Sequence, residues 1–422
     1  MGSLSGLFFC YTDGRPFKAK RLFCAIVGQG LGWVVSFFSH KKKAFKGLQT
    51  AISIWLAISV FNLPTVSSAI AQPVLSDPNA SRATSQLYAG LFRAMQKGTM
   101  FGHQDDLAYG VHWKYEDGKS DIKLVTGEYP AVYGWELGNL ELGSDCNLDS
   151  VPFDKMKKYI CEVHARGGVN TISWHTNNPQ TGGSAWDCMP ATVASILPGG
   201  SKHALYLEWL DKLAAFFLDL RSSEGELIPV LFRPFHELNG NWFWWGSRYC
   251  TPDEYKRLWQ FTIGYLRHTK GLHHLIYTFN TDKFSNREEY LERYPGNSWV
   301  DVIGFDIYQR EMAKEEYTKA MHSMLANLTA IASDSKKLPA LTEFGGNNAT
   351  DAKWWTGTFL PILKKYRLSY VLAWRNAGKK ADGSLEYYVP FPGEASEKDF
   401  KKLFSNKGFL FQKRASKLNL YE

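Results

Sequence analysis

Cysteine is scarce in this sequence. Six occur in 422 residues, and the four beyond residue 71, Cys146, Cys161, Cys188 and Cys250, stand at none of the short spacings that hold a metal ion. That excludes a zinc module and a cysteine-dense scaffold, and leaves one or two structural disulfides, with three possible full pairings, or free buried thiols. An excess of one charge is missing too. The formal net charge is +8, but residues 1–71 hold eight basic residues and one acid, Asp13, so the rest carries 41 basic and 40 acidic groups, or +1. The basic stripe of a nucleic-acid partner is therefore absent. Past residue 72 there is no low-complexity linker, heptad pattern or internal repeat, which excludes fibrous and solenoid architectures.

No uninterrupted apolar run reaches the roughly 20 residues of a membrane span. The run 51–61 follows Lys41, Lys42, Lys43 and Lys46, and Ala69-Ile70-Ala71 then places small residues at the two positions read in leader cleavage. Residues 1–71 are expected to be a leader cut after Ala71. The product is expected to be exported, periplasmic or extracellular, with no stable membrane association after cleavage. Upstream, a second apolar stretch, 22–38, is broken by Gly28, Gln29, Gly30 and Gly32. It reads as a start placed too far upstream, with a true membrane segment as the alternative. Those glycines lack the spacing and the strand-to-helix setting of a dinucleotide fingerprint.

What is present is a large apolar and aromatic complement: 45% hydrophobic residues, with 27 Phe, 21 Tyr and 15 Trp. It is enough for a substantial core. Beyond residue 72 a β-rich apolar run recurs eight times, at 99–103, 131–136, 169–175, 227–237, 275–280, 302–308, 340–343 and 369–374. Successive run ends lie 28 to 62 positions apart, room for a loop and a helix each time. Helical spacing appears at 153–166, 203–221, 251–268, 314–333 and 354–366, with Pro252 at a helix start. Eight β–α units in one domain, 72–422, predict an α/β fold, a single (β/α)8 TIM barrel.

In such a barrel the working groups gather where the strands end. Here those ends read His103, Glu136, His175, His236-Glu237, Asn280, Tyr308, Glu343 and Trp374-Arg375. Two glutamates stand out, because each closes a strongly apolar strand: Glu237 on the fourth and Glu343 on the seventh, near opposite sides of the ring. Paired carboxyls of this kind serve glycoside cleavage when one is protonated to donate to the leaving oxygen and the other is ionised to attack the anomeric carbon. Glu237 is flanked by Phe235, Trp242, Phe243, Trp244 and Trp245, whose apolar surroundings favour its neutral form, so it is assigned as acid/base. Glu343 is then the nucleophile, with Arg233 as the cation that keeps it charged. A buried Arg233–Glu343 ion pair without chemistry is the bland alternative. Trp242, Trp244 and Trp245 are candidate sugar-stacking rings, with core packing as the rival for one or two of them.

No metal site is expected. A His-Glu-x-x-His helix would need His at 240, where Gly240 stands, and His273-His274 lack accompanying ligands. The triplets at Asn79, Asn327 and Asn348 fit glycosylation sites but are common by chance.

The stretch Arg233-Pro234-Phe235-His236-Glu237-Leu238-Asn239-Gly240-Asn241-Trp242-Phe243-Trp244-Trp245-Gly246 resembles the acid/base motif of glycoside hydrolase family 26, the β-mannanases. Thr342-Glu343-Phe344-Gly345 is similar to that family's nucleophile strand, and Gly102-His103-Gln104 also matches; the resemblance runs from about Ser81 to the C-terminus. It implies a retaining barrel enzyme cutting β-1,4-mannosidic bonds of mannan, glucomannan or galactomannan, with no cofactor. It also implies that His236, Trp242 and Tyr308 line the site and that Trp374 is the sugar platform at the cleavage point. Arg375, His175 and Trp186 are implied as further sugar contacts, with His103 and Arg233 in support. The expected partners are β-mannan polysaccharide or manno-oligosaccharides. Three alternatives stay open: release of mannobiose from chain ends, hydrolysis of β-1,3-xylan or mixed-linkage glucan, and a non-catalytic carbohydrate-binding barrel.

Overall fold

The computed structural model describes residues 72–310, 312–346, 351–380 and 382–422. The leader expected over 1–71 and the Asn348 triplet fall outside these residues. Runs rich in apolar, aromatic and β-branched residues build eight parallel strands: β1 (Thr99–Gln104), β2 (Val132–Glu136), β3 (Val169–Trp174), β4 (Val230–Pro234), β5 (Leu275–Thr281), β6 (Val302–Tyr308), β7 (Leu338–Gly345) and β8 (Tyr370–Ala373). Each pairs with the next, and β8 returns to β1 in the register Met100↔Tyr370 to His103↔Ala373, so the sheet closes. This is the expected (β/α)8 barrel.

Side-chain alternation along the strands divides the core. Leu231, Ile276, Val302, Ala340 and Leu372 point into the barrel, where Leu87, Tyr88 and Leu91 of the helix Arg82–Met95 join them. Phe232, Tyr277, Ile303, Leu341 and Val371 pack instead with the surrounding helices. Those helices include Phe153–Ala165, His203–Asp219, Pro252–Gly264 and Lys314–Ser335. Thr251 caps the third of them in a reciprocal box with Glu254, and Pro252 sits in its first turn.

Differences from the sequence reading fall mostly at element ends. The 251–268 helix finishes in a π turn, Tyr265–Thr269, and the 354–366 stretch divides into a π turn, Trp355–Phe359, and one short helix, Leu360–Leu363. The fourth strand is shorter than 227–237, because Phe235 and Glu237 take φ of 50° and 52°, left-handed values no strand accommodates. The seventh is longer than 340–343. Its pairing slips on both sides of Thr342, from Phe305↔Leu341 to Asp306↔Glu343 and from Val371↔Leu341 to Ala373↔Phe344. A bulge of this kind re-aims the side chain beside it, and here that side chain is Glu343.

All four described cysteines are free thiols. The Cys161 thiol donates to the Arg221 carbonyl and the buried Cys250 thiol to the Trp245 carbonyl. His273 bonds Asp77 at 2.8 Å and buried His274 meets the Phe217 carbonyl, so both histidines serve the fold. Among the described residues no helix is long and apolar enough to cross a membrane.

Candidate active site

The mouth of the barrel is assembled from the ends of β3 to β8. Arg233, on β4 and fully buried, sends one guanidinium nitrogen to Asp306 at 3.1 Å and Asn280 at 3.3 Å, and the other to Glu343 Oε1. Burial opposes its charge, but Glu343 and Asp306 more than offset that, and it stays cationic. The other oxygen of Glu343 accepts the Tyr308 hydroxyl at 2.5 Å. Burial and the adjacent Glu343 carboxylate hold the Tyr308 phenol well above its usual range, so it remains a donor. Glu343 is thus an acceptor gripped from two sides, with its face toward the pocket left for chemistry.

Glu237 follows β4 in the left-handed segment already noted. Backbone strain of this sort costs about 1–3 kcal/mol and persists where the surroundings enforce it. Here the enforcing contacts are the Glu237 amide donating to the Asn280 carbonyl at 3.2 Å and the Trp242 indole donating to Glu237 Oε2 at 2.7 Å. Gly240 makes the second possible: a Cβ there would lie 2.6 Å from the Trp242 ring. Burial first, and then the Glu343 charge, push the Glu237 carboxyl up to about 8. The two glutamates and Asp306 each bring a carboxylate oxygen within 4.8 Å of the others. A separation that small suits double displacement, whereas direct attack by water needs roughly 6.5–9.5 Å between carboxyls. The same three acids have the spacing of a cation site, but the Arg233 guanidinium already bonds two of them.

A pocket of about 390 Å³ opens over these groups, lined by His175, Trp186, His236, Glu237, Trp242, Phe243, Asp282, Lys283, Tyr308, Arg310, Glu343, Trp374 and Tyr388. Trp186 is 50% exposed at the rim and stacks on His175, with ring centroids 5.1 Å apart. Eight of the residues singled out in the sequence therefore meet in one pocket, with Arg233 beneath them. Two do not. Arg375 faces the neighbouring hollow with Tyr109, Trp113 and Asp149, ion-paired to Asp149 and, at 3.5 Å, to Glu386. His103 is buried and bonded to Asp106 at 2.8 Å, away from the pocket. Trp244 and Trp245, offered as stacking rings, are fully buried instead: their indoles donate to the Thr176 and His236 carbonyls. They hold the loop that carries Trp242.

Asp282, Lys283, Arg310 and Tyr388 were missed, since each comes from a loop with no local pattern. Tyr388 had one signal, Gly345 at the end of β7: a Cβ at that glycine would sit 2.0 Å from the Tyr388 ring.

A closed parallel barrel whose mouth sets two carboxyls this close, one neutral and one gripped by Arg and Tyr, beneath aromatic walls, is the architecture of a retaining glycoside hydrolase. The chain belongs to glycosyl hydrolase family 26, whose sequence profile matches residues 76–376. A GH26 β-mannanase from Bacteroides ovatus superimposes with a TM-score of 0.78 at 44% identity, over 81% of this chain and 98% of that one. A mannan endo-1,4-β-mannosidase of Bifidobacterium adolescentis is 31% identical over 80% of this chain, and that of Bacillus subtilis strain 168 is 32% identical over 60%. This chain spans 36% of the first of these two proteins and 68% of the second.

Proposed function

We propose that this chain hydrolyses β-1,4-mannosidic bonds in mannan, glucomannan or galactomannan by double displacement. The observation that carries the reading is the carboxyl pair: Glu237 kept neutral by burial and Glu343 held in place by Arg233 and Tyr308. Its relatives named as mannan endo-1,4-β-mannosidases supply the sugar and the linkage. In the first step Glu237 gives its proton to the glycosidic oxygen while Glu343 attacks the anomeric carbon. In the second, Glu237 takes a proton from water, which attacks and releases the sugar with its β configuration retained. Trp374 offers a ring to the sugar at the cleavage point, and His175, His236, Trp242 and Trp186 surround it. Mannohexaose, with carboxymethyl-glucan and β-1,3-xylan as controls, tests the substrate class. Cleavage of a control in preference to mannohexaose contradicts the reading.

The pH profile follows from Glu237. Because it must be protonated to donate, kcat/KM is expected to fall about tenfold per unit as pH rises above about 8. Trp242→Phe removes a hydrogen bond that favours the charged carboxylate, so that limb moves to higher pH. A limb that stays in place in the variant contradicts the assignment.

A second reading, release of mannobiose from chain ends, has one observation in its favour. The Arg375–Asp149 ion pair ties the loop after β8 to the loop after β2 at the hollow beside the pocket, where further sugars on that side would run. Asp149→Ala is then expected to shift early products of mannohexaose from mannobiose toward longer fragments. An unchanged product pattern removes this reading and leaves internal cutting.

The leader supports export with cleavage after Ala71, giving a periplasmic or extracellular enzyme without stable membrane association. N-terminal sequencing of the exported protein is expected to begin at Gln72, and retention of residues 1–71 contradicts it.

A further inference from the structure

A buried chain of polar groups runs behind the pocket from Glu136 at the end of β2. Glu136 is 1% exposed and accepts four hydrogen bonds. Its Oε1 takes the Gly138 amide at 2.6 Å and the His175 amide at 2.7 Å. Its Oε2 takes the Ser173 hydroxyl at 2.5 Å and His175 Nδ1 at 2.7 Å. Burial alone would raise this carboxyl, but His175 and the donors around it bring it down to about 2, so it is an acceptor throughout the working pH range. His175 must therefore carry a proton on Nδ1.

The far side of the His175 ring, Nε2, lies 3.0 Å from Nε2 of His236, the residue preceding Glu237. One of these nitrogens has to donate. The choice is set by His236 Nδ1, which is buried and has no partner among the described residues. A bare acceptor there is tolerable, whereas an orphaned buried N–H is rare. His236 thus carries its proton on Nε2 and donates it to His175. Burial first, then His175 and Arg233, hold His236 well below its usual range, so it stays neutral. The other charged groups near the chain are Asp105 and Glu141, both of which feel the Glu136 charge, and Arg233, which acts on His236.

We propose that Glu136 is a positioning residue of the active site: it fixes the tautomers of His175 and His236 and thereby the orientation of the imidazole beside Glu237. This role rests on the glycosidase reading above. Its physical consequence is that His236 Nδ1 stays bare and the imidazole beside Glu237 stays neutral, since a proton added at that buried nitrogen would have no partner, and a positive charge there would drive the Glu237 proton off. Glu136→Gln separates the tautomer from the shape. Gln can keep its oxygen toward the two backbone amides, and its NH2 then faces His175 Nδ1, which must become the acceptor. Ser173 still has the Trp135 carbonyl at 3.2 Å for its hydroxyl. The swap forces His175 to protonate Nε2, His236 to accept there, and the buried His236 Nδ1 to become the orphan N–H.

Long-range 15N–1H spectra of protein labelled at histidine, assigned with His175→Gln and His236→Gln variants, read this directly. In the wild type at pH 7 the spectra are expected to show His175 protonated on Nδ1 and His236 neutral with its proton on Nε2; any other pattern overturns the proposal without need of the Glu136 variant. In Glu136→Gln both tautomers are expected to reverse, and kcat/KM on mannohexaose to fall about 10- to 100-fold, the usual effect of losing a group that orients a working histidine. Ser173→Ala, which leaves the Glu136 carboxylate, is expected to keep the wild-type tautomers and rate. Unchanged tautomers in Glu136→Gln, or reversed tautomers with an unchanged rate, overturn the proposal. Wild-type protein with the expected tautomers but no action on mannohexaose would instead count against the substrate reading.

Discussion

Glu343→Gln is expected to lower kcat on mannohexaose by on the order of 10⁵-fold, close to the loss seen when a covalent catalyst is deprived of its nucleophile. Gln keeps the shape and one acceptor oxygen for Arg233, and Asp306 remains paired with that guanidinium at 3.1 Å, so the fold should survive. Glu343→Ala makes a sharper test, because it opens space below the anomeric carbon. Azide or formate entering there attacks from the face Glu343 used, and with an activated aryl mannoside the product has the inverted, α, configuration. A variant that retains more than about a hundredth of the wild-type rate, or whose rescue product is the β anomer, shows that Glu343 is not the attacking group.

Glu237→Ala is expected to behave differently because it disables the proton and leaves the nucleophile. On mannan, whose leaving group needs protonation, kcat falls about 10²- to 10⁴-fold. An aryl leaving group that departs unprotonated makes the first step nearly indifferent to the change, so the glycosyl-enzyme accumulates and a burst of aryl alcohol precedes slow turnover. Azide then attacks that intermediate from the acid/base side and yields the β azide. Opposite anomers from the two alanine variants distinguish the roles of two glutamates that lie within 4.8 Å of each other. The alkaline fall near pH 8 also disappears with the carboxyl that causes it.

The barrel was legible in the sequence because each strand is buried on both faces and so reads as a continuous apolar run closed by a polar residue. Both glutamates were legible for the same reason. What the runs do not carry is the backbone detail that aims those residues: the left-handed φ at Phe235 and Glu237 and the slip at Thr342. Burial within an aromatic cluster is likewise invisible to pattern. Trp242, Trp244 and Trp245 are near neighbours in the chain, yet only Trp242 reaches the pocket, while the other two spend their indole N–H groups on backbone carbonyls. Glu136 was visible as a strand end, but its bond to His175 crosses to the next strand and depends on register. Tyr388 and Asp282 arrive from loops whose paths no local signal fixes. The Arg375 side chain, implied as a sugar contact, is committed to Asp149 and Glu386, a competition that only the folded loops create.

The most direct test of the central claim is proton NMR of the wild-type enzyme acting on mannohexaose, following the anomeric signals from the first turnovers. Double displacement through Glu343 and Glu237 predicts that the new reducing end appears first as the β anomer and drifts to the α/β equilibrium afterwards. An α anomer formed first, or no cleavage of mannohexaose at all, contradicts the account.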